Sequence, residues 1–131
     1  MTQEGFATAA MVRGKAAFAT SVDVAIQRCE AGVATLLSGK GTPLARLEAY
    51  DDGMGALSDA MAQASVVRNA HPDEELRSVA DSEEQRLEAL STGISLDRRV
   101  YDALQALERT GFDAETHRLL DRTLRDFRRA K

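Results

Sequence analysis

Cysteine, proline, histidine and aromatic residues are all scarce in this sequence, and tryptophan does not occur. The single cysteine, Cys29, excludes an internal disulfide framework and suits a reducing compartment, so a cytoplasmic setting is expected. Aromatic residues make up 5% of the chain, which leaves any core to aliphatic side chains and alanine. No run of about 18 apolar residues occurs, so no membrane-spanning helix is expected. The opening Met1-Thr2-Gln3-Glu4 carries an acid and no basic stretch, and no secretory leader is expected there.

What is present fits one small globular domain. The chain has 131 residues, 44% of them hydrophobic and 29% charged. Its formal charge of −4 argues against nucleic acid as the main partner. The charge is uneven, however. Between Arg118 and Lys131 stand Arg118, Arg122, Arg125, Arg128, Arg129 and Lys131 against only Asp121 and Asp126. This run reads either as a solvated helix face with cations near the C-terminal dipole end, or as a surface for an anionic partner. Only Phe127 interrupts it, so no row of base-stacking aromatics is present.

Apolar periodicity predicts a succession of helices. Val22, Ile26, Cys29, Val33 and Leu36 recur at steps of four and three. Gly39-Lys40-Gly41 ends that helix, and Thr42-Pro43 restarts one with a cap and a first-turn proline. Leu47, Tyr50, Met54, Leu57, Met61 and Ala64 then form a packing seam. Gly53 and Gly55 lie inside it at a cost of about 1 kcal/mol each relative to alanine, which implies close backbone approach or a bend.

His71-Pro72 marks the next boundary. Pro72-Asp73-Glu74-Glu75 predicts a helix start with proline in the first turn, and Leu76, Ala80, Leu87 and Leu90 supply its apolar side. Glu83 falls at the edge of that seam or within it. Gly93 is expected to close this helix and Ser95 to cap the next, whose apolar face is Leu96, Val100, Leu104 and Leu107 with Tyr101 beside them. Thr110-Gly111 breaks it; Asp113 caps a last helix bearing Leu120, Leu124 and Phe127. Residues 1–20 are weakly patterned: Phe6, Ala10, Gly14, Ala17 and Phe18 could lie on a helix, or the segment could fray. No sustained period-two alternation suggests a strand. The expected fold is therefore all-α, an antiparallel bundle of about five helices, with residues 21–131 as its helical domain.

Sites of chemistry are hard to find. His71 and His117 are the only histidines, and a zinc site needs three or four protein ligands. Ala114 occupies the place where a Glu-x-x-His pattern ending at His117 would need its glutamate. Cys29 sits on an apolar stripe, as a small core residue does. No G-x-S-x-G elbow is present. Gly39-Lys40-Gly41-Thr42 lacks the first glycine of a phosphate loop, since that position is Ala34, and a helix precedes it instead of a strand. Glu74, Glu75, Asp81, Glu83 and Glu84 cluster on one helix and read as a solvated face. No catalytic, cofactor-binding or metal-binding residue is assigned.

Several segments in order carry a resemblance. They are Leu47-Glu48-Ala49-Tyr50-Asp51-Asp52, then His71-Pro72-Asp73-Glu74-Glu75-Leu76-Arg77 followed by Ala80, Glu83 and Glu84. Next comes the stretch from Leu90 to Leu104, with Ser95-Leu96, Arg98, Tyr101, Ala103 and Leu104. Last are Glu115-Thr116, Arg118-Leu119-Leu120 and Leu124-Arg125-Asp126-Phe127-Arg128-Arg129-Ala130. From about Thr42 onward this resembles the N-terminal helical region of the thimet oligopeptidase and oligopeptidase A family of zinc metallopeptidases.

That resemblance implies an all-α, clam-like enzyme that cleaves short peptides in a deep channel, with these helices forming part of one wall. It also implies a zinc held by H-E-x-x-H and a later glutamate in a C-terminal half. The present sequence contains no H-E-x-x-H. No catalytic role therefore transfers to these residues, and no cofactor is expected in this chain. The expected partners are a catalytic half of the peptidase or a second copy, with oligopeptides as ligands of a full enzyme, and neither nucleic acid nor membrane. Three readings follow: a non-catalytic N-terminal part of such an enzyme, a free-standing interaction module that pairs with a separately encoded catalytic half, or an unrelated helical bundle. An isolated wall would also expose apolar surface.

Overall fold

A computed structural model describes the backbone of residues 3–130 and the side chains of residues 16–130. Five α-helices follow one another: α1 Gln3–Leu37, α2 Pro43–Ala70, α3 Glu74–Ser95, α4 Arg98–Gln105 and α5 Ala114–Arg129. Among the described residues no strand occurs, and no helix is long and apolar enough to cross a membrane. α1 passes residue 20 without interruption, while the side chains of Phe6, Ala10 and Gly14 lie outside the described residues.

The α1–α2 turn follows from its residues. Gly39 and Gly41 adopt φ of 69° and 92°, which side chains with a Cβ resist. Thr42 then caps α2, its hydroxyl accepting from the Ala45 amide at 3.1 Å, and Pro43 takes the first turn. The two helices run antiparallel: Leu36 meets Arg46, Gly32 meets Ala49, and Cys29 meets Gly53. Arg46 clamps the open end of α1, donating through Nε to the Leu36 carbonyl at 3.2 Å.

Backbone contact closes this hairpin. A Cβ placed on Gly53 would lie 2.9 Å from the Arg28 carbonyl oxygen and 3.1 Å from Cys29 Cα. A Cβ on Gly32 would collide with the Ala49 carbonyl oxygen. Gly55 has open space around it. Close approach therefore explains Gly53 and leaves Gly55 without a packing role.

α3 returns alongside α2 and runs parallel to α1, as Asp23 meets Arg86 and Leu37 shares a hollow with Ile94. The core joins all five helices. Val22, Cys29, Leu36, Leu47, Leu57, Ala64, Ala80, Leu87, Val100, Leu104 and Leu120 are essentially inaccessible. Each fully buried Leu or Val contributes about 1.5–3 kcal/mol relative to exposure. α4 packs on α1, and α5 on α4, where Tyr101 and Phe127 place their ring centroids 6.0 Å apart.

Four boundaries differ from the sequence expectation. Asp73, not Pro72, precedes the first helical residue of α3: its carboxylate accepts from the Glu75 amide at 3.0 Å, so Pro72 lies outside the helix. α3 continues through Gly93 to Ser95, because Gly93 costs the helix too little to stop it. Ser95 does not cap α4; its hydroxyl donates back to the Ser91 carbonyl at 2.9 Å, and Asp97 caps instead, accepting from the Arg99 amide at 2.9 Å. Leu96 consequently sits in the connection and is 59% exposed instead of packing on α4. α4 also ends at Gln105, ahead of Thr110, although Leu107 remains in the core.

The Asp113 cap of α5 accepts from the Thr116 amide at 2.8 Å. Hydrogen bonding by Thr116 holds its carboxyl below the usual aspartate value, and the Arg99 side chain does the same for Asp97. A carboxyl depressed in the folded state stabilises above its unfolded value and loses that contribution as pH falls through the folded one. Stability should therefore decline with acidification below about pH 4. Asp113→Asn retains the capping acceptor but removes this titration, so its acid melting curve should be shallower than wild type. In neutral thermal melts, Gly53→Ala should lose about 1–3 kcal/mol through forced helix separation, whereas Gly55→Ala should gain about 0.5–1 kcal/mol. Equal shifts for the two glycine variants would contradict the close-contact account.

Candidate functional site

The residues singled out in the sequence are spread over the fold. His71 terminates α2: its amide donates to the Val67 carbonyl at 3.1 Å, and its carbonyl accepts from Arg77 Nη1 at 3.0 Å. Its Nδ1 accepts from the Asp73 amide at 3.1 Å, so the ring locks the α2–α3 turn. His117 lies in α5 with its ring edge against Phe112 at 5.8 Å, and Arg109 Nη1 is 3.5 Å from its Nδ1. Among the described residues no group of three or more His, Cys, Asp or Glu could hold a metal ion.

Cys29 is inaccessible, with its thiol 4.0 Å from the Met54 sulfur. Burial, then the charge of Glu30, pushes its pKa up. It is a packing residue and a poor nucleophile at neutral pH.

The acids of α3 do more than face solvent. Glu83 accepts from Arg86 Nη1 at 3.1 Å, and the same guanidinium reaches Asp23 on α1 at 3.1 Å. Glu84, only 14% exposed, meets Arg68 Nε of α2 at 2.9 Å. Glu83 thus sits at the seam's edge, and the two arginines tie α3 to both neighbours. Arg86–Asp23 is an exposed pair and contributes about 0.2–1 kcal/mol.

The concavities among the described residues include two of similar volume. The first is a cleft of about 230 Å³ between α2, the end of α3 and α5. Tyr50, Asp51, Met54, Ser95, Thr123, Asp126 and Phe127 line it. Its chemistry is limited. Ser95 donates to Ser91, and Thr123 donates to the Leu119 carbonyl at 2.8 Å, so neither hydroxyl donates to a carboxylate. Tyr50 is held protonated far above the usual phenol range, by burial first and then by the charges of Cys29 and Asp51.

The second is an apolar hollow of about 240 Å³ between α1 and α3. Val33, Ala34, Leu37, Leu90 and Ile94 line it, with Glu30 at its margin. Ile94 completes the row begun by Leu87 and Leu90, a spacing legible in the sequence but overlooked once Gly93 is read as a terminus. The hollow lies on one side of the bundle, and its lining is almost entirely apolar.

Comparison with known proteins adds no assignment: no family model, curated protein or solved structure matches this chain.

Buried Cys29 offers a direct check of the packing around this region. In the native protein an aromatic disulfide reagent should label it far more slowly than in denaturant, where one thiol per chain should react at once. Rapid native labelling would show that the α1–α2 seam opens.

Proposed function

We propose that this chain is the non-catalytic N-terminal helical part of a zinc-dependent oligopeptidase, where it forms part of the wall of the peptide channel. The reading rests on the thimet oligopeptidase-like segments, and one observation supports it above others. Those segments, distant in sequence, meet as a single packed unit. Tyr101, from the Ser95–Leu104 segment, packs with its ring tilted against Phe127, and its hydroxyl accepts from Arg128 Nε at 3.1 Å, both partners from the last segment. The His71-Pro72-Asp73 segment forms the α2–α3 turn that Arg77 locks. Residues that carry the resemblance are thus residues that hold helices together, as expected of a shared wall architecture.

In this reading the chain contributes shape rather than chemistry. Zinc would polarise the peptide carbonyl and activate water, held by an H-E-x-x-H helix that this sequence does not contain. The histidines present do not fit that task, because His71 accepts a backbone amide and His117 packs on Phe112. The catalytic half would cover the apolar hollow between α1 and α3, and oligopeptides would enter beside the helices. A cytoplasmic setting agrees with the single reduced cysteine.

The purified chain is expected to bind no stoichiometric zinc and to leave a quenched fluorescent peptide uncut. Metal-dependent, chelator-sensitive cleavage by this chain alone overturns the assignment. Reading the gene past the Lys131 codon should reach an H-E-x-x-H segment in frame; a stop codon there points instead to a module that pairs with a separate catalytic chain.

A further inference from the structure

The arginine run of the last helix has a geometry that its sequence only suggested. Arg118, Arg122, Arg125 and Arg129 follow at steps of four, three and four, which places them in one row along α5. All four are exposed, and the row extends about 16 Å. Leu120, Leu124 and Phe127 occupy the opposite, buried side. Among the described residues none of the four arginines has a carboxylate within ion-pair distance. Asp121 is engaged by Arg109 at 2.7 Å, and Asp126 lines the cleft beside Asp51.

Neither helix stability nor the dipole accounts for this row. Like charges at such spacing repel along a helix. The dipole favours cations only in the last turn, which holds Arg128 and Arg129 but not Arg118 or Arg122. Elsewhere in the molecule arginines on Asp23, Glu83, Glu84 and Asp97 have found their acids. The row on α5 is therefore exposed positive charge arranged as a ridge without a close ion pair, with only the more distant attraction between Arg118 and Asp113 beside it.

We infer that this ridge docks an acidic helix of another protein segment, one presenting carboxylates at the same four-three-four spacing. Guanidinium forks match carboxylates in pairs, which a row of lysines would not do. A long polyanion fits less well. The chain carries −4 overall, and Asp51 of α2 borders the cleft beside Asp126 of α5, so a strand that overran the ridge on that side would meet acids. The sole aromatic in the run, Phe127, is buried and cannot stack on a base. A lipid surface fits less well too, because the exposed large apolar residues, Val24, Leu44, Val66 and Leu96, all lie off α5. This inference stands on α5 alone and does not depend on the peptidase reading.

The test is fluorescence anisotropy with a labelled four-turn helical peptide bearing glutamates at that spacing, and a twin bearing glutamines. The full chain should bind the glutamate peptide, ignore the twin, and lose affinity as salt approaches about 0.3 M. Replacing all four arginines (Arg118→Gln, Arg122→Gln, Arg125→Gln and Arg129→Gln) should weaken binding by roughly tenfold or more. Because the side chains are exposed, the variant should melt as wild type does; if it does not, Arg122→Glu alone should still weaken binding. Equal binding of the two peptides, retained affinity in the arginine variants, or tighter binding to a single-stranded oligonucleotide or anionic vesicles each overturns the inference. So does salt-sensitive self-association of the chain with no affinity for the glutamate peptide.

Discussion

Contact between two helix backbones sets the geometry of everything else. α1 and α2 meet at Gly32 and Gly53 with no room for a Cβ on either glycine. Helices usually pack 8–10 Å apart because side chains keep them there. Two facing glycines remove that spacer and allow Cys29 and Ala49 to lie directly against the partner backbone. The consequence is a tight pair whose apolar stripes, Val22 to Leu36 and Leu47 to Ala64, lie in the core or against it, with one side left to a third helix. α3 fills that side with Leu76, Ala80, Leu87 and Ile94. A sparse supply of aromatics suits such a core, since alanine and glycine permit distances that large rings would prevent.

The helical stripes were legible because they depend on period alone. Steps of three and four remain visible whatever the partner, and the residues they mark in α1, α2 and α5 lie in the core or against it. Turns built on a single strong device were legible for a similar reason: Gly39 to Pro43 and Asp113 need only local chemistry. Gly93 and Ser95 misled because weak local signals compete with neighbours. A glycine costs a helix about 1 kcal/mol, which the buried Ile94 outweighs. A serine can bond backward as well as forward, and the stronger acceptor Asp97 follows two residues later. Gly32 carried no signal at all. Its meaning lies in the Ala49 carbonyl opposite, and Gly55, of the same residue type, has nothing opposite.

The concave surfaces were illegible for a different reason. The cleft takes residues from α2, α3 and α5, separated by some 70 positions between Met54 and Thr123. No spacing rule connects them; only the way α5 folds back through the Tyr101–Phe127 contact does so. The hollow between α1 and α3 likewise depends on those helices running parallel, a product of the intervening α2. Caps and interhelix contacts such as Asp73, Asp97, Tyr101 and Phe127 depend instead on local chemistry or on one neighbouring helix.

Charge in this molecule divides into two kinds. Arg68 and Arg86 reach acids on neighbouring helices and so belong to the fold. Among the described residues, Arg118, Arg122, Arg125 and Arg129 on the outer side of α5 form no such pair, although carboxylates are abundant, with Asp and Glu numbering 21 against 17 Lys and Arg. In a chain with an excess of acids, this row stays outside ion-pair distance even of Asp121 and Asp126, which stand three or four residues away on the same helix. The buried side of α5 is fully occupied by Leu120, Leu124 and Phe127, so the helix needs no cations to stay on the bundle. Its outer side therefore has no packing role among the described residues, and the arginine row there is the surface that the proposed acidic helix would meet.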